Sequence, residues 1–116
     1  MTLVPSLVLR TTGRRSGVER AVVLPYATDG GGYVVVASNW GRDQPPAWLI
    51  NLRAAPRAEV QIARRREPVE ARIVEPDSPE HARLWQLANQ NNRHRYEGYV
   101  AMTARPIAIA VLRPER

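Results

Sequence analysis

The sequence contains no cysteine and no phenylalanine, and every one of its 17 basic residues is arginine. The lack of cysteine excludes a disulfide framework, a thiolate metal site and a cysteine nucleophile. No apolar run approaches the ~20 residues that span a bilayer, and the N-terminus lacks the charged start and cleavage site of a signal peptide. We therefore expect a cytoplasmic protein without stable membrane insertion.

The excess of positive charge lies in the first half of the chain. The formal net charge is +6; residues 1–66 hold ten arginines and four acidic residues, whereas residues 67–116 hold seven of each. Arginine binds carboxylate and phosphate through paired hydrogen bonds, so the first half is expected to attract an anion. Nucleic acid is not the expected partner, because aromatic side chains are too sparse along the strands to form a base-stacking surface.

Strand patterns dominate the chain, and its 116 residues fit one domain, 1–116, with a core of its own. Apolar runs predict six strands, at 6–12, 19–28, 33–38, 58–63, 67–76 and 106–114. Helical spacing predicts helices at 46–56 and 78–92, the second with Ser78 as its N-cap, and 93–105 is either irregular or a third short helix. The predicted fold class is mainly β (α+β), a six-stranded antiparallel barrel with two or three short helices.

The segment "RTTGRRSG" (10–17) places three arginines and two glycines between the first two predicted strands. A glycine turn can expose successive backbone N–H groups as an anion nest. Arg14, Arg15 and Arg20 would add positive charge to this nest, and Thr12 and Ser16 would add hydroxyl donors. Solvated arginines at a hairpin tip are the alternative, since such turns are common.

Other polar and aromatic residues stand near the ends of predicted elements. Ser38 ends the apolar strand 33–38, where it either bonds a substrate oxygen or belongs to an ordinary turn. Trp48 and Asn51 are three residues apart and share one helical face. Trp48 fits a core position or the wall of a ring site, and Asn51 fits a tie to loop backbone. Neither His81 nor His94 belongs to a carboxylate cluster at metal spacing, so no metal site is expected.

The order of these motifs closely resembles that of the deazaflavin-dependent nitroreductase family, split β-barrel oxidoreductases of actinobacteria that use coenzyme F420. The family pattern is a T-T-G-R-(K/R)-S-G turn, a following arginine, an A-S strand end, P-x-W-x-x-N-L, and a tyrosine-rich segment before a T-x-R closure. The matching residues are 11–17, 20, 37–38, 46–52 and 96–105. The resemblance covers residues 7–113, nearly the whole chain.

This resemblance implies a single split-barrel deazaflavin-binding domain. The implied activity is hydride transfer from reduced F420 to a small electron-poor substrate, which is a quinone, a nitroaromatic or an activated enone. The implied cofactor-binding residues are Arg14, Arg15, Ser16, Arg20, Ser38, Asn39, Pro46, Ala47, Trp48 and Asn51. The implied catalytic residues are Tyr99, Ser38 and Tyr96. A tyrosine here can donate a hydrogen bond to negative charge on a substrate oxygen, although an aromatic plug over the barrel mouth is the alternative.

Two residues depart from the family pattern. Asn39 and Trp40 stand where the family often has lysine and glycine, which removes a cation beside the cofactor and adds bulk. The alternatives are therefore an FMN-binding split-barrel oxidoreductase and a non-catalytic ligand- or cofactor-binding protein. Split barrels of this type often pair two protomers, and the apolar strand at 33–38 would suit the interface of a homodimer.

Overall fold

The computed structural model describes residues 4–92, 95–100 and 102–115. Its strands are β1 (Ser6–Thr12), β2 (Glu19–Pro25), β3 (Ala27–Asp29), β4 (Gly32–Val36), β5 (Arg57–Ile62), β6 (Arg65–Val74) and β7 (Ile109–Pro114). Its helices are α1 (Ala47–Ala54), α2 (His81–Asn91) and α3 (Arg95–Val100), with a 3-10 turn at Asn39–Gly41. The predicted mainly β class is confirmed, and the ambiguous segment before the last strand contains a short helix.

All the described strands lie in one antiparallel sheet in the order β2-β1-β5-β6-β7-β4-β3. The prediction of six strands was wrong by one, because the chain changes partners at Tyr26. The strand β2 pairs with β1 as far as Pro25, whereas β3 pairs with β4 from Ala27 onward. One residue thus separates the two edge strands, so the sheet curves into a half-barrel.

The strand β4 is buried on both faces within a single chain. Val35 and Ala37 belong to one core cluster with Trp48 of α1, while Val34 and Val36 belong to a second cluster that includes residues of α2 and α3. The apolar run at 33–38 therefore lies in the core of the chain. The same burial overturns the reason for expecting a homodimer interface here, because the chain's own helices already cover this apolar run.

The helices lie close to their predicted positions. The helix α1 begins directly after Pro46, whose ring fixes a backbone angle compatible with a helix start. The prediction of Ser78 as the N-cap of the second helix was wrong. The capping residue is Glu80, and the carbonyl of Ser78, not its hydroxyl, accepts the hydrogen bond from the His81 N–H at 3.1 Å. No helix among the described residues is long and apolar enough to cross a membrane.

Candidate active site

A cleft of about 840 Å³ is lined by the β1–β2 turn, β2, the 3-10 turn, the start of α1, and α3. Its volume lies within the roughly 300–1,000 Å³ typical of small-molecule sites. Every residue that the sequence assigned to the cofactor or to catalysis lines this cleft: Arg14, Arg15, Ser16, Arg20, Ser38, Asn39, Pro46, Ala47, Trp48, Asn51, Tyr96 and Tyr99. The fold therefore brings together residues that are as many as 85 positions apart in sequence.

The turn between β1 and β2 is closed by hydrogen bonds among its own residues. The Gly13 N–H donates to the Val18 carbonyl at 2.8 Å, and the Gly17 N–H donates to the Gly13 carbonyl at 2.9 Å. The Ser16 Oγ accepts a hydrogen bond from the Val18 N–H at 3.1 Å. Gly17 has a φ of +70°, a conformation that costs a side-chain-bearing residue free energy.

These bonds occupy much of the expected anion nest. The N–H groups of Gly13, Gly17 and Val18 donate within the turn, and the Arg14 N–H donates to Asn51 Oδ1 at 3.2 Å. The turn therefore offers few free backbone amides to an anion, and its side chains are the main available donors.

The side chain of Asn51 joins this turn to α1. It is 3% exposed, and its Nδ2 donates to Thr11 Oγ1 at 3.1 Å while its Oδ1 accepts from the Arg14 N–H. Buried polar groups are usually satisfied in this way, and both ends of this amide have partners. The interpretation of Asn51 as a tie to loop backbone is thus confirmed, and the residue also borders the cleft.

Arg14, Arg15 and Arg20 present uncompensated positive charge at the cleft. All three are exposed, and within the described part of the chain none of them forms an ion pair. In contrast, Arg83 pairs with Asp29 at 2.9 Å, and its hydrogen bond holds the pKa of Asp29 below the usual value. Clustered cations without acidic partners create a field that attracts anionic ligands.

The segment after β4 forms another wall of the cleft in an unusual conformation. Asn39, Trp40 and Gly41 have φ angles of +46°, +61° and +77°. The Gly41 N–H donates to the Ser38 carbonyl at 2.9 Å, and Asn39 Nδ2 donates to the Gln44 carbonyl at 2.8 Å. The Asn39 amide is therefore partly engaged within its own loop, which leaves its Oδ1 as the side-chain atom most suited to a ligand.

Arg105 holds this loop in place, although it was not among the residues predicted to form the site. Its Nη1 donates to the Ala37 carbonyl at 3.1 Å, and its Nη2 donates to the carbonyls of Ser38 at 3.0 Å and Arg42 at 3.1 Å. Burial lowers the pKa of Arg105, yet an arginine stays protonated in proteins. The T-x-R motif drew attention to this residue. Its partners are backbone carbonyls more than 60 residues away, and the sequence around Arg105 does not identify them.

Tyr96 and Tyr99 project from α3 and stand edge to face, with ring centroids 6.2 Å apart. Tyr96 is 4% exposed and belongs to the core; burial raises its pKa to about 12, against the opposing effect of a hydrogen bond from Asn92. Tyr96 is therefore a neutral phenol at physiological pH. Tyr99 is half-buried at the cleft and also packs edge to face on Trp40 at 6.2 Å. Tyr96 thus resembles a plug, whereas Tyr99 is open to a ligand.

The start of α1 supplies an apolar wall. Pro46 is buried, Ala47 is exposed, and Trp48 is 7% exposed within the core cluster of α1 and β4. Trp48 thus packs in the core and also borders the cleft, so the two roles considered for it are compatible.

The wall of the cleft formed by β2 was also not predicted from the sequence. Residues 21–25 line the cleft, and Val23 is 68% exposed. An apolar run of this kind predicts a core strand, because its pattern does not show that one face remains uncovered at the edge of the sheet.

His81 contacts a backbone carbonyl and an aromatic ring. Its Nε2 lies 2.9 Å from the Ile107 carbonyl, and its ring stacks on Trp85 at 5.9 Å. Among the residues that the structure describes, no group of three His, Cys, Asp or Glu side chains is arranged to hold a metal ion. His94 lies outside the described residues.

Known proteins resemble this chain over most of its length. A family model for F420H(2)-dependent quinone reductase matches residues 1–114. The F420H(2)-dependent quinone reductase Rv1261c of Mycobacterium tuberculosis is 44% identical over 108 residues, which cover 93% of this chain and 72% of that protein. The solved F420-H2 dependent reductase FDR-A has a TM-score of 0.80 at 32% identity, with 93% of both chains covered. A structure described as a domain-swapped dimer has a TM-score of 0.82 at 31% identity, covering 93% of this chain and 79% of that chain.

Replacing Arg105 tests the role of its guanidinium group. Arg105→Met keeps the apolar stem and removes the donors to the carbonyls of Ala37, Ser38, Arg42 and Pro106, of which those of Ala37 and Ser38 belong to buried residues. We expect the free energy of unfolding to fall by about 2 kcal/mol, since hydrogen bonds to charged groups contribute about 1.5–3 kcal/mol. Urea denaturation measures this change. Arg113→Met removes a donor to the Gly30 carbonyl at 3.3 Å and is the control; an equal loss in both variants would contradict a special role for Arg105.

Proposed function

The chain belongs to the F420H(2)-dependent quinone reductase family, and from this membership we propose how its cleft is divided between cofactor and acceptor. As a member of the family, it is an oxidoreductase that uses reduced coenzyme F420. In the proposal, the basic turn binds the anionic tail, the end of β4 and the start of α1 border the deazaflavin ring, and α3 faces the acceptor.

The residues of the cleft fit this cofactor. Coenzyme F420 joins a planar ring to a phosphodiester and an oligoglutamate tail, so its negative charge is concentrated at one end. The cleft has the same polarity. Exposed guanidinium groups that have no ion-pair partner among the described residues line the turn, and Pro46 and Trp48 line the start of α1. This polarity is the observation that carries the proposal.

Within this arrangement, Arg15 and Arg20 hold the phosphate or the carboxylates of the tail, with Arg14 and Ser16 beside them. Asn51 acts on the tail indirectly, because its side-chain amide fixes the backbone from which Arg14 extends. Ser38, Asn39, Pro46, Ala47 and Trp48 border the ring. The left-handed loop and its hydrogen bond to Arg105 hold this border in place.

The acceptor side of the cleft is assigned to the tyrosines. When bound, the reduced cofactor supplies a hydride. A quinone that accepts this hydride gathers negative charge on a carbonyl oxygen, and the Tyr99 hydroxyl donates a hydrogen bond to that oxygen. Ser38 is the second candidate donor. Tyr96 lies behind Tyr99 and limits the depth of the site. Nitroaromatics and activated enones share the electron-poor π system and are further expected acceptors.

A homodimer remains a proposal that rests on the related domain-swapped dimer. The apolar run at 33–38 no longer supports it, because the core of a single chain covers that strand.

Cofactor choice tests the proposal as a whole. We expect oxidised F420 to bind more tightly than FMN, because three unpaired arginines suit a phosphate followed by carboxylates. Titration of each ligand against tryptophan fluorescence measures both dissociation constants. The F420 affinity is expected to fall as salt rises, since charges near the surface are screened within about 8 Å at physiological ionic strength. Micromolar binding of FMN without a response to F420 would refute the assignment.

The basic turn makes a separate prediction. Arg15→Ala and Arg20→Ala are each expected to weaken F420 binding by about 1–3 kcal/mol, the scale of a lost charge-assisted hydrogen bond. The melting temperature should barely change, because both side chains are exposed. Arg64→Ala, in the exposed turn between β5 and β6, is the matched control and should bind normally. If Arg15→Ala and Arg20→Ala bind as well as this control, the arginines form only a solvated hairpin tip.

Tyr99→Phe tests the acceptor side. The variant keeps the ring that packs on Tyr96 and Trp40 and removes only the hydroxyl donor. We expect turnover with menadione, at saturating reduced cofactor, to fall roughly 10–1000-fold, because an oxyanion donor acts mainly in the transition state. Affinity for F420 should stay near that of the wild type. Tyr96→Phe is the neighbouring control and should have a smaller effect; unchanged turnover in Tyr99→Phe would leave Ser38 as the donor.

A further inference from the structure

Trp40 combines a strained backbone with an exposed side chain. Its φ of +61° lies in the left-handed region, where a bulky residue is an outlier. The residues on either side, Asn39 and Gly41, are also left-handed, whereas such conformations usually occur singly. Glycine would adopt this angle without strain, so the large side chain at this position calls for an explanation.

Burial does not explain it. The side chain of Trp40 is 69% exposed, so the indole gains little from the hydrophobic effect that stabilises a buried tryptophan. Its recorded ring contact is the edge-to-face packing on Tyr99, with centroids 6.2 Å apart and planes at 70°. Packing among the described residues therefore does not balance the strain, which is the pattern expected of a residue that contacts a ligand.

The backbone around Trp40 is nevertheless held from two sides. A Cβ on Gly41 would lie 3.0 Å from the Cβ of Met102, so the loop packs closely on the segment after α3. Arg105 binds the carbonyls of Ser38 and Arg42 on either side of the loop. A rigid frame thus presents an aromatic surface at the cleft, beside the tyrosine assigned to the acceptor.

We propose that Trp40 is a specificity-determining residue whose indole stacks on the ring of a planar, electron-poor acceptor while Tyr99 bonds the acceptor's oxygen. The proposal rests on the function proposed above and identifies the preferred acceptors as fused-ring quinones. An indole is electron-rich, and offset stacking on an electron-poor ring is favourable. An acceptor ring over Trp40 would also remove from water the apolar surface that the free protein leaves exposed.

Three variants test this proposal. Trp40→Gly removes the ring and the strain, Trp40→Phe keeps an aromatic ring, and Ala63→Gly relieves a φ of +55° in the exposed β5–β6 turn as a control. We expect Trp40→Gly to raise the KM for menadione about 5- to 50-fold, on the scale of a lost aromatic stack. The smaller 1,4-benzoquinone should be affected less, because it overlaps less of the indole. Trp40→Phe should recover most of the affinity for menadione, and Ala63→Gly should keep the wild-type KM.

Melting temperatures provide a readout that does not depend on activity. Trp40→Gly should melt no lower than the wild type, because strain relief offsets the lost contact with Tyr99, and Ala63→Gly should melt about 1–4 °C higher. An unchanged KM in Trp40→Gly, or equal effects on both quinones, would overturn the proposal, as would a large fall in melting temperature without a change in KM. A wild type that reduces neither quinone would refute the proposed function itself, and the assignment of Trp40 with it.

Discussion

A single buried amide joins the basic turn to the helix and the strand beside it. Asn51 extends from α1, donates to Thr11 on β1 and accepts from the backbone of Arg14, so helix, strand and turn share one hydrogen-bonded junction. The junction is buried, and loss of either partner would leave a polar group without compensation. Because the backbone is fixed there, the arginines that follow extend from a defined origin. The cleft depends on this constraint, since it sets the distance between the charged turn and the apolar start of α1.

A second junction is formed by a charged guanidinium group, and it holds the loop after β4, which is the other wall of the cleft. Arg105 donates to the carbonyls of Ala37, Ser38 and Arg42, and thereby stabilises a loop that local preferences disfavour. One arginine thus lies among carbonyls and shapes the cleft, whereas the arginines of the turn form no ion pair within the described part of the chain. The role of each arginine depends on its surroundings and not on its residue type. Arginines away from the cleft, such as Arg83, pair with acidic residues. The exposed charge of the turn and the strained, exposed Trp40 are the two features on which we base the proposed ligand contacts.

Features encoded over short distances in the sequence were predictable. The spacing of Trp48 and Asn51 placed both on α1, and the resemblance assigned to one site residues that the fold does bring to one cleft. Features that depend on tertiary partners were not. The break at Tyr26 arises because the chain leaves one edge of the sheet and joins the other, although its apolar pattern continues. Ser78 has the side chain of an N-cap, but the chain turns there and α2 begins three residues later. Arg105 binds backbone carbonyls, which carry no sequence signal.

The central claim is that the turn arginines bind the anionic tail of the cofactor while the ring lies along the wall formed by β4 and α1. A crystal structure of the protein with oxidised F420 tests it most directly. We expect the phosphate or a tail carboxylate within hydrogen-bond distance of the Arg15 or Arg20 guanidinium groups, and the ring against Ser38 and Trp48. A tail that leaves the cleft away from the turn, with both arginines still facing solvent, would contradict the account.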